Sequence, residues 1–141
     1  RIVEKGKLRE KPVFTVPDVE PSGESGLMDI TLHPDFAKNG FIYLAYSYNT
    51  DGKKVKVVRY LFKNGEFTDP KIIIDSIPGA PNHAGMRARF GPDGKLYITT
   101  GDSTDWDLAQ DLDSLAGKVL RLNDDGSVPA EQLRRKRFRR R

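Results

Sequence analysis

Apolar and polar residues alternate along most of this chain in short runs, and the runs are separated by glycine-containing turns at close intervals. That pattern predicts a meander of antiparallel strands rather than helices. The runs place strands at Gly26 to Leu32, Phe41 to Tyr48, Val55 to Phe62 and Lys71 to Ser76, with turns at Asn39-Gly40, Asp51-Gly52 and Asn64-Gly65. A second set is expected at Gly85 to Phe90, Lys95 to Thr100 and Gly117 to Asn123, with a short helical turn over Asp107 to Leu115. The two sets begin alike. Leu32-His33-Pro34-Asp35, Gly40 and Phe41-Ile42-Tyr43-Leu44 in the first correspond to Phe90-Gly91-Pro92-Asp93, Gly94 and Lys95-Leu96-Tyr97-Ile98 in the second, and Pro34 and Pro92 lie 58 residues apart. A repeat of this length suits four-stranded propeller blades with a generous loop. The chain then divides into the end of one blade (1 to 17), a complete blade (26 to 76) and three strands of another.

The second set carries the candidate chemistry. Pro92-Asp93-Gly94 supplies a turn that folds the strand ending at Phe90 back onto the strand beginning at Lys95. His83 stands just before the first of these strands and Asp102 just after the second, so the hairpin brings its two outer ends together. A histidine is the side chain suited to proton transfer near neutrality, and a neighbouring carboxylate would orient it.

Composition narrows the classes. The 141 residues are 37% hydrophobic, with seven Phe and five Tyr, enough to fill a modest core. The net charge of +4 arises from one place: residues 133–141 contain seven of the 24 Lys and Arg and no acid, and without them the balance is 17 basic against 20 acidic residues. The body is therefore mildly acidic. Nucleic acid is not expected as a partner, because binding to it or to another acidic surface would rest on Arg134 to Arg141 alone. Cysteine is absent, which excludes disulfides and thiolate metal sites. The longest apolar runs are strand-sized, so no membrane span is expected. The sequence opens at Arg1 with neither a methionine nor an apolar leader, so any leader is expected to be removed or to lie upstream.

Three segments, in order, carry a specific resemblance: Gly26-Leu27-Met28-Asp29-Ile30-Thr31-Leu32-His33-Pro34-Asp35-Phe36, the stretch from His83 to Asp102, and Ala109 to Pro129 with its Gly117-Lys118-Val119-Leu120-Arg121-Leu122-Asn123 core. Together they resemble the glucose/sorbosone dehydrogenase family, which includes soluble aldose sugar dehydrogenases dependent on pyrroloquinoline quinone (PQQ). The resemblance implies an all-β, six-bladed β-propeller of which residues 1–129 cover roughly the first two blades as four-stranded antiparallel meanders. It implies oxidation of an aldose sugar at the anomeric carbon to the lactone, with the quinone as hydride acceptor, calcium polarising it, and an electron acceptor that the residues do not name. A periplasmic or secreted location is likewise implied.

By the same resemblance His83 is the base that takes the proton from the anomeric hydroxyl, and Asp102 is its paired acid. Glu24 falls near the cofactor, with a solvated loop acid as its ordinary alternative. Arg87 either pairs with a blade carboxylate or faces the anionic quinone, and the structural role is favoured. His33, in its Pro-Asp turn, is expected to be structural. Asp102, Asp105, Asp107, Asp111 and Asp113 lack the spacing of a calcium loop, so no metal ligands are assigned within this chain. After Pro129 the resemblance leads one to expect Asp-Asn-Pro-Phe, where the chain instead has Ala130-Glu131-Gln132 and a basic run. Residues 130–141 are thus expected to be a disordered or frameshift-derived tail. The alternative function is a truncated, inactive propeller fragment that acts by binding or by self-association through uncovered blade faces.

Overall fold

The computed structural model describes residues 1–135. A hairpin of β1 (Val3–Glu4) and β2 (Lys7–Leu8) opens the chain as a sheet of its own. The first large sheet follows as β3 (Leu27–Leu32), the one-turn helix α1 (Phe36–Asn39), β4 (Phe41–Thr50), β5 (Gly52–Lys63) and β6 (Glu66–Pro78), with its four strands side by side in chain order and all antiparallel. The second sheet is β7 (Gly85–Phe90), β8 (Leu96–Thr100) and β9 (Val119–Leu122), with the short helix α2 (Asp107–Gln110) between the last two strands, and α3 (Ala130–Arg135) follows. The chain is all-β and comprises one four-stranded blade and three strands of a second, packed face to face as in a β-propeller.

Local chemistry explains where the strands exceed the expected bounds. Asn64 and Gly65 both take positive φ, as a two-residue hairpin turn requires, so pairing continues without a break to Lys63 opposite Glu66. Pro70 is tolerated because β6 lies at the edge of its sheet. Asn39-Gly40 is not a hairpin turn. It ends α1: Gly40, at φ 68°, donates its N–H to the Phe36 carbonyl as a left-handed helix cap.

The alternation in β4 places side chains on two covered faces, and Ile42 through Tyr46 are all buried. Tyr43 and Ala45, with Val55, Val57, Ile73 and Ile77, meet Ala84, Met86, Ala88, Leu96, Ile98 and Leu122 of the second blade and form the core between blades. On the opposite face Ile42, Leu44, Tyr46, Val58 and Tyr60 receive Val16 and Phe14 from the segment that follows β2. That segment is pinned by Asp18, whose carboxylate accepts from the Lys56 ammonium, and the ammonium also lies 4.1 Å from the centre of the Tyr48 ring.

One buried carboxylate joins the blades. Asp29 on β3 accepts the Ala88 backbone N–H at 2.8 Å and Arg89 Nη1 at 2.6 Å on one oxygen, and Arg87 Nη1 at 3.2 Å on the other. Beside it, the Thr31 hydroxyl donates to the Ala88 carbonyl and accepts from Arg89. Burial alone would raise the Asp29 pKa, but the Ala88 amide and the Arg89 and Arg87 guanidiniums outweigh it and hold the group below the usual carboxylate range.

At the far end Pro129 is buried, and Ala130–Arg135 is helical where the sequence suggests the start of a disordered tail. A side-chain tether is present there: Glu131 accepts from Arg121 Nη2 at 2.8 Å, and Arg121 also donates to Asp93. Residues 136–141, the rest of that tail, lie outside the described residues. Among the described residues no helix is long and apolar enough to cross a membrane.

Replacing Asp29 by Ala strands the Ala88 N–H, which costs about 1–3 kcal/mol, whereas the two half-exposed guanidiniums add less than about 1 kcal/mol. Denaturant unfolding at neutral pH is expected to show a loss of about 1–4 kcal/mol. A carboxyl held below its unfolded value contributes stability that is complete above that value, roughly 3.9 for Asp, and disappears as pH falls through the lower folded value. Wild-type stability should therefore fall below about pH 4, and Asp29→Ala should lack that part of the acid dependence.

Candidate active site

The site is built from three loops that meet at the start of β7. His83 is the second residue before that strand and has φ 54°, a left-handed conformation uncommon for a side chain of its size. Its carbonyl accepts the Ser103 N–H at 3.0 Å, and its own N–H donates to Glu24 Oε2 at 3.1 Å. Its ring Nδ1 lies 3.1 Å from Asp102 Oδ1. The carboxylate can only accept, so Nδ1 carries a proton, and in the neutral imidazole Nε2 presents its lone pair. Nε2 has no hydrogen-bond partner among the described residues, and the His83 side chain is 61% exposed.

Asp102 is the better shielded member of the pair. The same Oδ1 accepts the Thr104 N–H at 3.0 Å, closing a turn in which Ser103 and Thr104 both have positive φ. The Ser103 hydroxyl donates to the Pro78 carbonyl at 2.6 Å and ties this turn to the end of β6. Farther along the loop, Lys118 Nζ donates to the carbonyls of Leu108 and Ala116 at 2.6 and 2.8 Å. Gly101 makes the close approach possible, because a Cβ there would lie 1.8 Å from the His83 carbonyl oxygen.

The structure thus brings His83, Asp102 and Glu24 into one cluster. Arg87 stands apart from it. Its Nη1 bonds Asp29, yet its side chain is 67% exposed and lines an open groove with Glu24, Met28, Met86 and Thr99. His33 belongs to the packing between blades: Nδ1 accepts the Asp35 N–H at 3.0 Å, and the ring centre lies 5.0 Å from that of Phe90. Sequence reasoning missed Asp29, Gly101 and Ser103. A glycine directly before the candidate acid was the only available signal for this close approach; a carboxylate within an alternating strand and a left-handed serine carry none.

Among known proteins, the family model described as Glucose / Sorbosone dehydrogenase matches residues 1–137. Aldose sugar dehydrogenase YliI of Escherichia coli (strain K12) is 38% identical over an alignment of 130 residues that covers 88% of this chain and 35% of that protein. Quinoprotein glucose dehydrogenase B of Acinetobacter calcoaceticus is 30% identical over 151 residues, covering 86% of this chain and 32% of that protein. The PQQ-bound aldose sugar dehydrogenase structure from Streptomyces coelicolor superposes with a TM-score of 0.75 at 39% identity, over 81% of this chain and 35% of that one. The chain spans about a third of the length of these relatives.

A Gly101→Ala change tests the close approach. The added methyl must push the His83 carbonyl away, and overpacking of this kind costs about 1–3 kcal/mol. Thermal unfolding should show that loss. Imidazole nitrogen resonances should show the His83–Asp102 bond broken, and an intact bond in a variant of wild-type stability would contradict the geometry.

Proposed function

The chain belongs to the glucose/sorbosone dehydrogenase family, and from that premise we propose that it carries the proton-accepting part of a site that oxidises an aldose at its anomeric carbon to the lactone. The observation that carries this reading is the His83–Asp102 pair, held at 3.1 Å with Nε2 free to accept. In this role Nε2 takes the proton of the anomeric hydroxyl as the hydride leaves the same carbon, and the ring C–O bond of the hemiacetal becomes part of the lactone. Asp102 fixes the tautomer and stabilises the imidazolium that forms.

PQQ, when bound, supplies the hydride acceptor. The residues present fit it in part. Arg87 is the rim residue suited to meet an anionic quinone, since one guanidinium nitrogen is engaged with Asp29 while the side chain remains mostly exposed along the groove. Calcium is different: among the described residues no group of three or more His, Cys, Asp or Glu is placed to hold a metal ion, so no role is assigned to these residues in binding it.

A second reading, a propeller fragment that acts by binding or self-association, is favoured by one observation. The face of the first blade turned away from the second exposes Leu27, Ile30 and Leu32 by 56%, 58% and 51%, beside an apolar groove lined by Phe14 and Phe36.

The two readings separate in one set of assays on the purified protein supplied with PQQ, calcium and glucose. The enzymatic reading predicts dye reduction that needs both quinone and sugar and that falls by about 10²- to 10⁴-fold in His83→Ala, with quinone binding retained. Absence of turnover, together with concentration-dependent association in sedimentation, would favour the binding reading instead.

A further inference from the structure

The backbone at His83 is held in a conformation that residues with a side chain avoid, and such conformations persist only where the surroundings over-determine them. We infer that Glu24 is a positioning residue for His83, acting through the main chain rather than through the cofactor; this rests on the reading of His83 as the base.

Glu24 lies 59 residues from His83 in sequence and reaches it by docking its whole segment. Its own N–H donates to the Pro81 carbonyl at 2.8 Å, and its carboxylate accepts the His83 N–H at 3.1 Å, so acceptor and donor interlock two residues apart. Gly23, at φ 60°, lets the segments touch: a Cβ there would lie 2.6 Å from the Pro81 oxygen and 2.8 Å from Asn82 Oδ1. On the other side of the His83 Cα, the Ser103 N–H donates to the His83 carbonyl. The two bonds fix the peptide groups on both sides of the His83 Cα, and therefore fix φ. If φ relaxed to negative values, the Cα–Cβ bond would swing and carry the imidazole off Asp102. The two acids thus have separate tasks: Asp102 orients the ring, and Glu24 orients the backbone that carries it.

Amide hydrogen exchange in the intact protein reads this clamp directly. In Glu24→Ala the His83 amide should exchange on the order of tenfold faster, while the Ala88 amide, which bonds Asp29, stays as protected as in the wild type. Glu24→Gln keeps an acceptor oxygen at the same reach and should restore protection. Glu24→Asp, one methylene short, should fall between and serves if the Ala variant does not fold. In the quinone-loaded enzyme, Glu24→Ala should lower kcat with little change in KM for the aldose, and Glu24→Gln should recover it. Unchanged His83 exchange accompanied by weakened quinone binding would overturn the inference and return Glu24 to the cofactor. Faster exchange with undiminished turnover would uphold the clamp and remove His83 from its role as base.

Discussion

The Asp29 carboxylate is the constraint on which the remaining geometry depends. It is buried on the first strand of one blade, and it takes a backbone amide and two guanidiniums from the first strand of the next. A main-chain donor cannot be supplied by a neighbouring residue without shifting the strand, so the Ala88 bond fixes the position of β7 against β3. The loops of the candidate site are attached to those same strands. Glu24 precedes β3 by three residues and His83 precedes β7 by two, while Asp102 follows β8, whose Thr100 pairs with Gly85. A shift at Asp29 would reach all three site residues.

Side chains that look reactive in isolation are divided here between structure and chemistry by what each one faces. His33 uses its ring to pack between blades and its Nδ1 to close a turn. His83 packs against little, directs Nδ1 to a carboxylate and leaves Nε2 to solvent. Lys56 neutralises Asp18 on the far face of the first blade, where it pins the segment carrying Phe14 and Val16. Arg87 bonds Asp29 with one nitrogen while most of its side chain stays exposed along the groove.

Much of this was legible in the sequence because strand periodicity and turn chemistry are local. The alternation in β3 through β8 and the Asn64-Gly65 and Pro92-Asp93-Gly94 turns marked the blades, and the second turn implied that His83 and Asp102 meet. Asn39-Gly40 misled because a left-handed glycine ends a helix as readily as it turns a hairpin. The helix at Ala130 was hidden because its tether to Arg121 is a tertiary contact, invisible in a basic run. Asp29 and the carboxylate-to-amide bond of Glu24 share that property: each joins residues almost sixty positions apart, and no local pattern encodes either partner.

In the proposed function His83 and Asp102 work as one proton-accepting unit. A double-mutant cycle on kcat measures this most directly, comparing His83→Ala, Asp102→Asn and the double variant in the quinone-loaded enzyme with a single aldose. If Asp102 acts only through the imidazole, the double variant will be no slower than His83→Ala alone. Losses that multiply would show the two residues acting independently, and would contradict the account.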